Sequence, residues 1–146
     1  MEFRRLRAGD EPLLADMLMD FRKECTSLTR AGNFLSSGTN YIFACINNHK
    51  VIGFVLGYRL PRFDAQADRL YIHEVGVFKE YKRQGIGKKL MEMTLNLCRD
   101  EGLSKAFLIT NKSNTAANKL YLGANGNADN DDDIVYYFDS ECPEGI

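Results

Sequence analysis

Two glycines and a group of cations lie at the predicted junction between a strand and a helix, in the stretch Tyr81-Lys82-Arg83-Gln84-Gly85-Ile86-Gly87-Lys88. Glycine lets the backbone turn tightly and approach a ligand closely. The first N–H groups of a helix attract phosphate oxygens, and lysine and arginine side chains add full positive charges to that field. The pattern indicates a site for a multiply charged anion, although Gly-x-Gly between a strand and a helix also occurs as a plain connection.

The overall composition limits the class of partner. The chain has 146 residues, of which 45% are hydrophobic and 27% charged, and its formal net charge is −1. This length predicts one domain, residues 1–146, and the apolar content predicts an ordinary hydrophobic core. Because the basic group is local and the chain as a whole is not basic, a nucleic-acid-binding protein is not predicted.

The compartment is predicted from what the sequence lacks. It has no apolar run of the roughly 18 residues that a membrane helix needs, and its first residues lack the apolar segment of a signal peptide. We therefore expect a soluble, cytoplasmic protein with no membrane partner. The scattered cysteines predict reduced thiols, with Cys45 and Cys98 as small core residues, and no metal site; the others are Cys25 and Cys142.

The hydrophobic pattern predicts the elements that would position the glycine turn. A strand over 3–7 precedes a helix that begins near Asp10. Residues 26–40 are rich in Ser, Thr, Gly and Asn and predict a loop with a short helix around Phe34. Two apolar runs, 41–46 and 51–58, are joined by a turn at 47–50 that predicts a hairpin. The later elements are a strand over 70–78, a helix from Ile86 to a cap at Gly102, a strand over 106–110, a helix over 114–121 and a final strand over 134–138.

This order predicts a mixed α/β sheet, in which antiparallel strands lead into a strand–helix–strand crossover. A dinucleotide-binding domain would alternate strands and helices from its start, whereas here four strands precede the glycine turn. A P-loop would require Gly-x-x-x-x-Gly-Lys-Ser/Thr, which the sequence does not contain. Neither nucleotide-binding class is therefore predicted.

Two motifs in this order resemble the GNAT superfamily of N-acetyltransferases. Lys82-Arg83-Gln84-Gly85-Ile86-Gly87 is similar to the family's Arg/Gln-x-x-Gly-x-Gly/Ala signature, with lysine at the first position. Asn114-Thr115-Ala116-Ala117-Asn118-Lys119-Leu120-Tyr121 is similar to its Asn-x-x-Ala-x-x-Leu-Tyr helix. The resemblance spans nearly the whole chain. It implies an α/β (α+β) GNAT fold, with a mixed, mostly antiparallel central sheet flanked by helices and a splayed strand before the CoA-binding helix.

Within that superfamily, the chain is most similar to the aminoglycoside 3-N-acetyltransferases. Gly57-Tyr58-Arg59-Leu60-Pro61 and the segment 70–77 resemble that group's Gly-Tyr-x-Leu-Pro and the strand that follows it. Two departures are present. An acidic pair of that group is replaced by Asn111-Lys112-Ser113-Asn114, and Asn125 stands where that group has a glycine.

The resemblance implies acetyl-CoA as the acetyl donor. It implies that the glycine turn binds the pyrophosphate through backbone amides, and that the backbone of the preceding strand binds the pantetheine arm and polarises the thioester carbonyl. The donor-binding residues implied in this way are Val75, Gly76 and Val77 on the strand, Lys82, Arg83, Gln84, Gly85, Ile86, Gly87 and Lys88 in the turn, and Asn114 and Ala117 at the last helix.

Two residues are candidates for catalysis. Glu74 aligns with an aspartate of the aminoglycoside enzymes, and we expect it to bind the acceptor ammonium and to accept its proton, directly or through water. The alternative is a carboxylate that pairs with Arg69 or another surface cation. Tyr121 is implied to protonate the departing thiolate, and the alternative is a core aromatic residue. Because successive strand residues face opposite ways, only one of His73 and Glu74 is expected to meet the substrate.

The acceptor is expected to be a primary amine, either an aminoglycoside-like molecule or a small polyamine. The acidic run 129–133 is a solvated turn or, if it lies near the acceptor, a partner for such a cation. Two alternatives stay open: a peptide or protein N-acetyltransferase, and a catalytically idle CoA-binding regulatory module. A homodimer is a further expectation.

Overall fold

The computed structural model describes residues 1–128, 130 and 132–140. Its strands are β1 (Glu2–Arg5), β2 (Asn40–Asn47), β3 (Lys50–Leu60), β4 (Arg69–Val77) and β5 (Lys105–Leu108). Its helices are α1 (Glu11–Arg22), α2 (Leu28–Ser36), α3 (Ile86–Asp100) and α4 (Thr115–Gly123), with a 3₁₀ turn at Lys79–Tyr81. Within these described residues, none of the helices has the length and apolar character needed to cross a membrane.

The strands form one five-stranded sheet in sequence order, β1-β2-β3-β4-β5. The first four are antiparallel to their neighbours, and β5 runs parallel to β4 after the crossover through α3. The predicted hairpin is confirmed, because Asn48 and His49 take left-handed φ values of 49° and 63° between β2 and β3, as a two-residue hairpin turn requires. The mixed, mostly antiparallel sheet is confirmed with it.

Helices cover both faces of the sheet. Side chains of β2, β3 and β4 pack against α3 on one face, where Val55, Leu70 and Leu90 are completely buried. Alternate residues of the same strands pack against α1 and α2 on the other face, where Phe54 and Met17 are buried. The free thiols of Cys45 and Cys98 lie in the α3-side core as predicted, Cys25 is exposed, and Cys142 lies outside the described residues.

Two predicted elements differ from the structure. Residues 134–138 do not form a strand, since they pair with none of the strands described, and their side chains are exposed, with Tyr137 at 89% and Phe138 at 91%. The apolar run predicted a strand, but a strand requires a partner as well as an apolar sequence. The second difference is the extent of α2: a short helix around Phe34 was predicted within a loop, and the helix runs from Leu28 to Ser36. Ser27 caps it by accepting a hydrogen bond from the Arg30 N–H.

The parallel pairing that positions the later elements is short. β5 pairs with β4 only from Arg69↔Lys105 to Ile72↔Leu108. β4 continues to Val77 while it remains paired with β3 on its other edge. The five residues of β4 after Ile72 therefore have no strand partner on the β5 side among the described residues, which agrees with the predicted splay.

Gly76 gives a stability prediction. A Cβ atom built at Gly76 lies 2.7 Å from Cε1 of Phe54 and 3.2 Å from its Cζ, so the glycine makes room for a buried ring. We expect Gly76→Ala to lower the free energy of unfolding by about 1–3 kcal/mol, because a well-packed core resists an added methyl group. Gly38→Ala is the matched control, since nothing lies within 4 Å of its Cβ position, and we expect a change below about 0.5 kcal/mol. Urea unfolding of both variants measures the difference; equal values would contradict the packing explanation.

Candidate active site

The turn before α3 exposes several backbone N–H groups. Arg83 and Gly85 both take left-handed φ values, 62° and 77°, and Gly85 is the N-cap without any side-chain cap. The first intrahelical bond runs from the Lys89 N–H to the Gly85 carbonyl, at 3.0 Å. The N–H groups of the three residues between them, 86–88, consequently lie ahead of the helical bonds and are available to an anion.

The cations around this turn are not all directed to it. Lys82, Arg83 and Lys88 are exposed beside the turn, whereas the Lys89 ammonium lies 4.8 Å from the centroid of the Phe3 ring, over β1. Three of the four cations of the predicted cluster therefore remain as partners for a bound phosphate.

Two glycines, Gly53 and Gly87, allow the first turn of α3 to pack closely against its neighbours. A Cβ at Gly53 on β3 lies 2.8 Å from Cγ2 of Ile86, and a Cβ at Gly87 lies 3.2 Å from Cδ2 of Leu120 on α4. The first turn of α3 therefore packs closely against β3 on one side and α4 on the other. This close packing brings the α4 helix, and with it Tyr121, next to the glycine turn.

Tyr121 is half-buried and packs against the α3-side core. Burial raises the pKa of its phenol, so the hydroxyl carries its proton at neutral pH, and among the described residues it has no hydrogen-bond partner. α4 is capped at its start by Asn114, whose Oδ1 accepts from the Ala117 N–H at 3.1 Å. Asn125 has a φ of 66°, so it takes the left-handed conformation after the helix.

A β-bulge in β4 changes the expected orientation of His73 and Glu74. Leu56 of β3 is paired with Glu74, and the next residue, Gly57, is paired with Ile72, so His73 is an extra residue in β4. Ile72 and Val75 both face α3. Glu74 and His73 both face α1 and α2: Glu74 contacts Arg22, and the His73 ring contacts Tyr58 and Tyr71. The bulge interrupts the alternation from which the expectation for these two residues was argued. Of the two, Glu74 lines the cavity on this face and His73 does not, and the expectation that only one of them meets the substrate stays a prediction.

The same face carries a cavity of about 320 Å³, between the sheet and the helices α1 and α2. Its walls are mainly apolar, and Glu74 and Tyr58 stand at its sheet side. The polar and charged residues that line it are Arg22, Glu24, Thr26, Arg30, Tyr58 and Glu74. The size and the mixture of apolar walls with a few polar groups are typical of a small-molecule site.

Glu74 forms an ion pair with Arg22, at the end of α1, rather than with Arg69. Sequence reasoning missed Arg22 and Arg30 as site residues. The one available signal was weak: Arg22 is a basic residue in the last turn of a helix, where cations are favoured for the dipole alone. Their placement at the cavity depends on tertiary packing.

The described part of the acidic run, residues 130, 132 and 133, does not line this cavity. Asp132 and Asp133 are exposed and are not among the residues that line it. They instead hydrogen-bond to Asn130, through the Asp132 N–H and the Asp133 carboxylate. Asp129 and Asp131 lie outside the described residues.

Comparison with known proteins identifies the family. Residues 9–124 match the acetyltransferase (GNAT) family. The chain therefore belongs to that family, and its fold and its class of enzyme, an acyltransferase, agree with the predictions from the sequence.

The human protein N-acetyltransferase 8 (Homo sapiens) is 29% identical over 98 residues, which are 66% of this chain and 43% of that protein. This chain therefore corresponds to less than half the length of that relative. An aminoglycoside acetyltransferase, meta-AAC0020 from an uncultured soil metagenomic sample, solved with trehalose, has a TM-score of 0.83 at 21% identity, covering 97% of this chain and 96% of that chain. Aminoglycoside N-acetyltransferase AAC(6')-Iy in complex with CoA has a TM-score of 0.75 at 12% identity, covering 97% and 95%.

Proposed function

We propose that the chain transfers the acetyl group of acetyl-CoA to a primary amine bound in the cavity between the sheet and α1 and α2. The observation that carries this proposal is the open edge of β4 after Ile72. Along this segment, Val75 faces the side of α3 and Tyr121, while Glu74 faces the cavity. A donor along the open edge would thus lie between the thiolate partner on one face and the amine site on the other.

The residues on the donor side fit CoA. The unbonded N–H groups at the start of α3, with Lys82, Arg83 and Lys88, suit a pyrophosphate. Val75, Gly76 and Val77 are paired with β3 on one edge of β4, and the opposite edge, beyond the end of β5, suits the amide groups of a pantetheine arm. Asn114 uses its carbonyl oxygen to cap α4, which leaves its amide N–H groups for the same arm; Ala117 lies one helical turn below it.

We assign two proton transfers to the chain, one from the acceptor ammonium and one to the departing thiolate. Acetyl-CoA supplies an acetyl group activated as a thioester. Glu74 holds the acceptor ammonium and takes its proton, so that the amine nitrogen can attack the carbonyl carbon. A backbone N–H of β4 stabilises the negative charge that develops on the carbonyl oxygen. As the carbon–sulfur bond breaks, the Tyr121 hydroxyl gives its proton to the sulfur. The nitrogen loses its remaining extra proton to water, which returns a proton to the Tyr121 phenolate, and Glu74 releases its proton to solvent, so that the products are a neutral amide and the thiol of CoA.

For the acceptor, the resemblance to the aminoglycoside 3-N group and the similarity to aminoglycoside acetyltransferase structures support an aminoglycoside or small polyamine. Release of CoA over a panel of aminoglycosides, polyamines and short peptides tests the function. Turnover only with peptides would indicate a peptide N-acetyltransferase. Tight binding of acetyl-CoA with no turnover would indicate an idle CoA-binding module. A single domain over 1–146, a homodimer and a cytoplasmic location stay predictions.

Gly85 tests the donor site. Gly85→Ala and Gly102→Ala both place a methyl group on a left-handed residue, with φ of 77° and 67° and nothing within 4 Å, at opposite ends of α3. We expect each to lower the free energy of unfolding by about 1–2 kcal/mol. Because the N-terminal turn binds the pyrophosphate, we expect the acetyl-CoA affinity to fall about tenfold in Gly85→Ala alone. Calorimetric titration measures it, and equal affinities in the two variants would refute the assigned site.

Glu74 tests the acceptor end. Glu74→Gln keeps an oxygen that can accept from Arg22 but removes the charge that holds and deprotonates an ammonium. We expect kcat with an amine acceptor to fall about 100-fold or more, while the acetyl-CoA affinity changes little. Glu92→Gln, on an exposed position of α3, is the control. Steady-state kinetics with unchanged turnover in Glu74→Gln would leave Glu74 as a structural partner of Arg22.

Tyr121 tests proton donation to the thiolate. Tyr121→Phe keeps the aromatic packing and removes only the hydroxyl, so we expect the acetyl-transfer rate to fall about 100-fold with an unchanged melting temperature. Tyr41→Phe is the matched control in the same core cluster, where the hydroxyl donates to Glu101 at 2.8 Å, at the other end of α3. Single-turnover measurements give the rates; a normal rate in Tyr121→Phe would assign Tyr121 to packing.

A further inference from the structure

The cavity contains as many positive as negative side chains. Two guanidinium groups, Arg22 and Arg30, and two carboxylates, Glu24 and Glu74, line it, so these four charges sum to zero. The rest of the lining is mainly apolar and aromatic, with Phe21 and Phe34 from the two helices. A cavity built for a polycation would present an excess of carboxylates, which these residues do not provide.

Arg22 and Glu74 already neutralise each other. Their side chains form an ion pair across the cavity, and both remain partly exposed, at 37% and 29%. A purely cationic acceptor would have to share Glu74 with Arg22, and the arginine would repel it. An acceptor with one positive and one negative group would instead replace the ion pair completely: its ammonium would lie beside Glu74 and its anionic group beside Arg22.

Arg30 provides a second cation for the same anionic group. It lies in the first turn of α2, and its backbone N–H donates to Ser27 Oγ. Its guanidinium has no hydrogen bond or ion pair with the described residues, although it lines the cavity. A cation at this end of a helix opposes the helix dipole, so the position is unfavourable unless an anion approaches it. Guanidinium groups match carboxylates particularly well, because they can donate two parallel hydrogen bonds.

We propose that the acceptor is a zwitterion, an amine that carries a carboxylate close by and an apolar group, as in a free amino acid with an apolar side chain. This proposal rests on the acetyl transfer of the proposed function, and it replaces the aminoglycoside or polyamine acceptor considered there. Arg22 and Arg30 bind the carboxylate, Glu74 binds the ammonium, and the apolar group lies against the aromatic walls at Phe21 and Phe34. Arg30 is then the residue that determines specificity.

Matched acceptors test the proposal. L-Leucine and L-phenylalanine are compared with their amides and with the corresponding amines that lack the carboxylate, with an aminoglycoside as the polycation. Release of CoA gives kcat/KM over a range of pH, so that differences in the pKa of the acceptor amines do not decide the comparison. We expect the amino acids to exceed their amides by about tenfold or more in kcat/KM, mainly through KM, as one charge-assisted bidentate contact predicts.

Arg30→Gln links that preference to the structure. We expect Arg30→Gln to reduce the ratio of kcat/KM for the amino acid to kcat/KM for its amide to within about threefold of unity. Arg7 is an exposed arginine that does not line the cavity, and we expect Arg7→Gln to keep the wild-type ratio. Calorimetric binding of L-phenylalanine to the CoA-saturated protein should weaken about tenfold in Arg30→Gln, which is a readout independent of turnover.

The outcomes separate this inference from the proposed function. If amides, bare amines or the aminoglycoside are turned over as fast as the amino acids or faster, the proposal of a zwitterionic acceptor is wrong. The proposed acetyl transfer is then still supported. A preference for the acids that survives Arg30→Gln overturns the role of Arg30. A protein that binds acetyl-CoA but acetylates no member of the panel overturns the proposed function, and the substrate class with it.

Discussion

The open edge of β4 is the constraint around which the site is organised. Up to Ile72 the strand is paired on both edges, and beyond it β5 has ended at Leu108. Backbone N–H and C=O groups are rarely left without partners in folded proteins. In a sheet, such an open segment is completed either by water or by an extended ligand that pairs as a strand would. An extended arm of amide groups meets that requirement, so the open edge favours a donor with the chemistry of pantetheine.

Close packing at two glycines fixes the positions of the elements beside this open edge, the start of α3 and the helix α4. Gly53 admits Ile86 and Gly87 admits Leu120, so the start of α3 is held against β3 and α4 together. A methyl group added at Gly53 would collide with Ile86, and one added at Gly87 would press on the Leu120 side chain, so either would disturb the packing of α3 between β3 and α4. The glycine turn and the helix that carries Tyr121 are therefore positioned by the same contacts. The distance between the proposed pyrophosphate and thiolate sites is then set by core packing rather than by the loop.

Local sequence patterns predicted those parts of the structure that depend on local chemistry. The hairpin turn at 47–50, the glycine turn before α3 and the crossover after β4 follow from residue types and spacing. The bulge at His73 had no such signal, since it arises from the pairing between two strands. The arginines of the cavity were missed because each looks like an ordinary helix cation. The run 134–138 was misread because its apolar character says nothing about whether a partner strand is present.

The bulge determines which face of the sheet carries charge. In a regular strand successive side chains alternate between the two faces, so residues 72 and 74 would face the same way. If His73 were paired as a regular residue of β4, Glu74 would therefore lie on the face of Ile72, against the apolar core on the α3 side, where an unpaired carboxylate is destabilising by several kcal/mol. Val75 would then face the cavity, and the Arg22 guanidinium would lack its partner. With the bulge, the carboxylate and the valines each face the environment that suits them. The bulge thus brings the carboxylate proposed for the acceptor and the open backbone edge proposed for the donor together on one short segment.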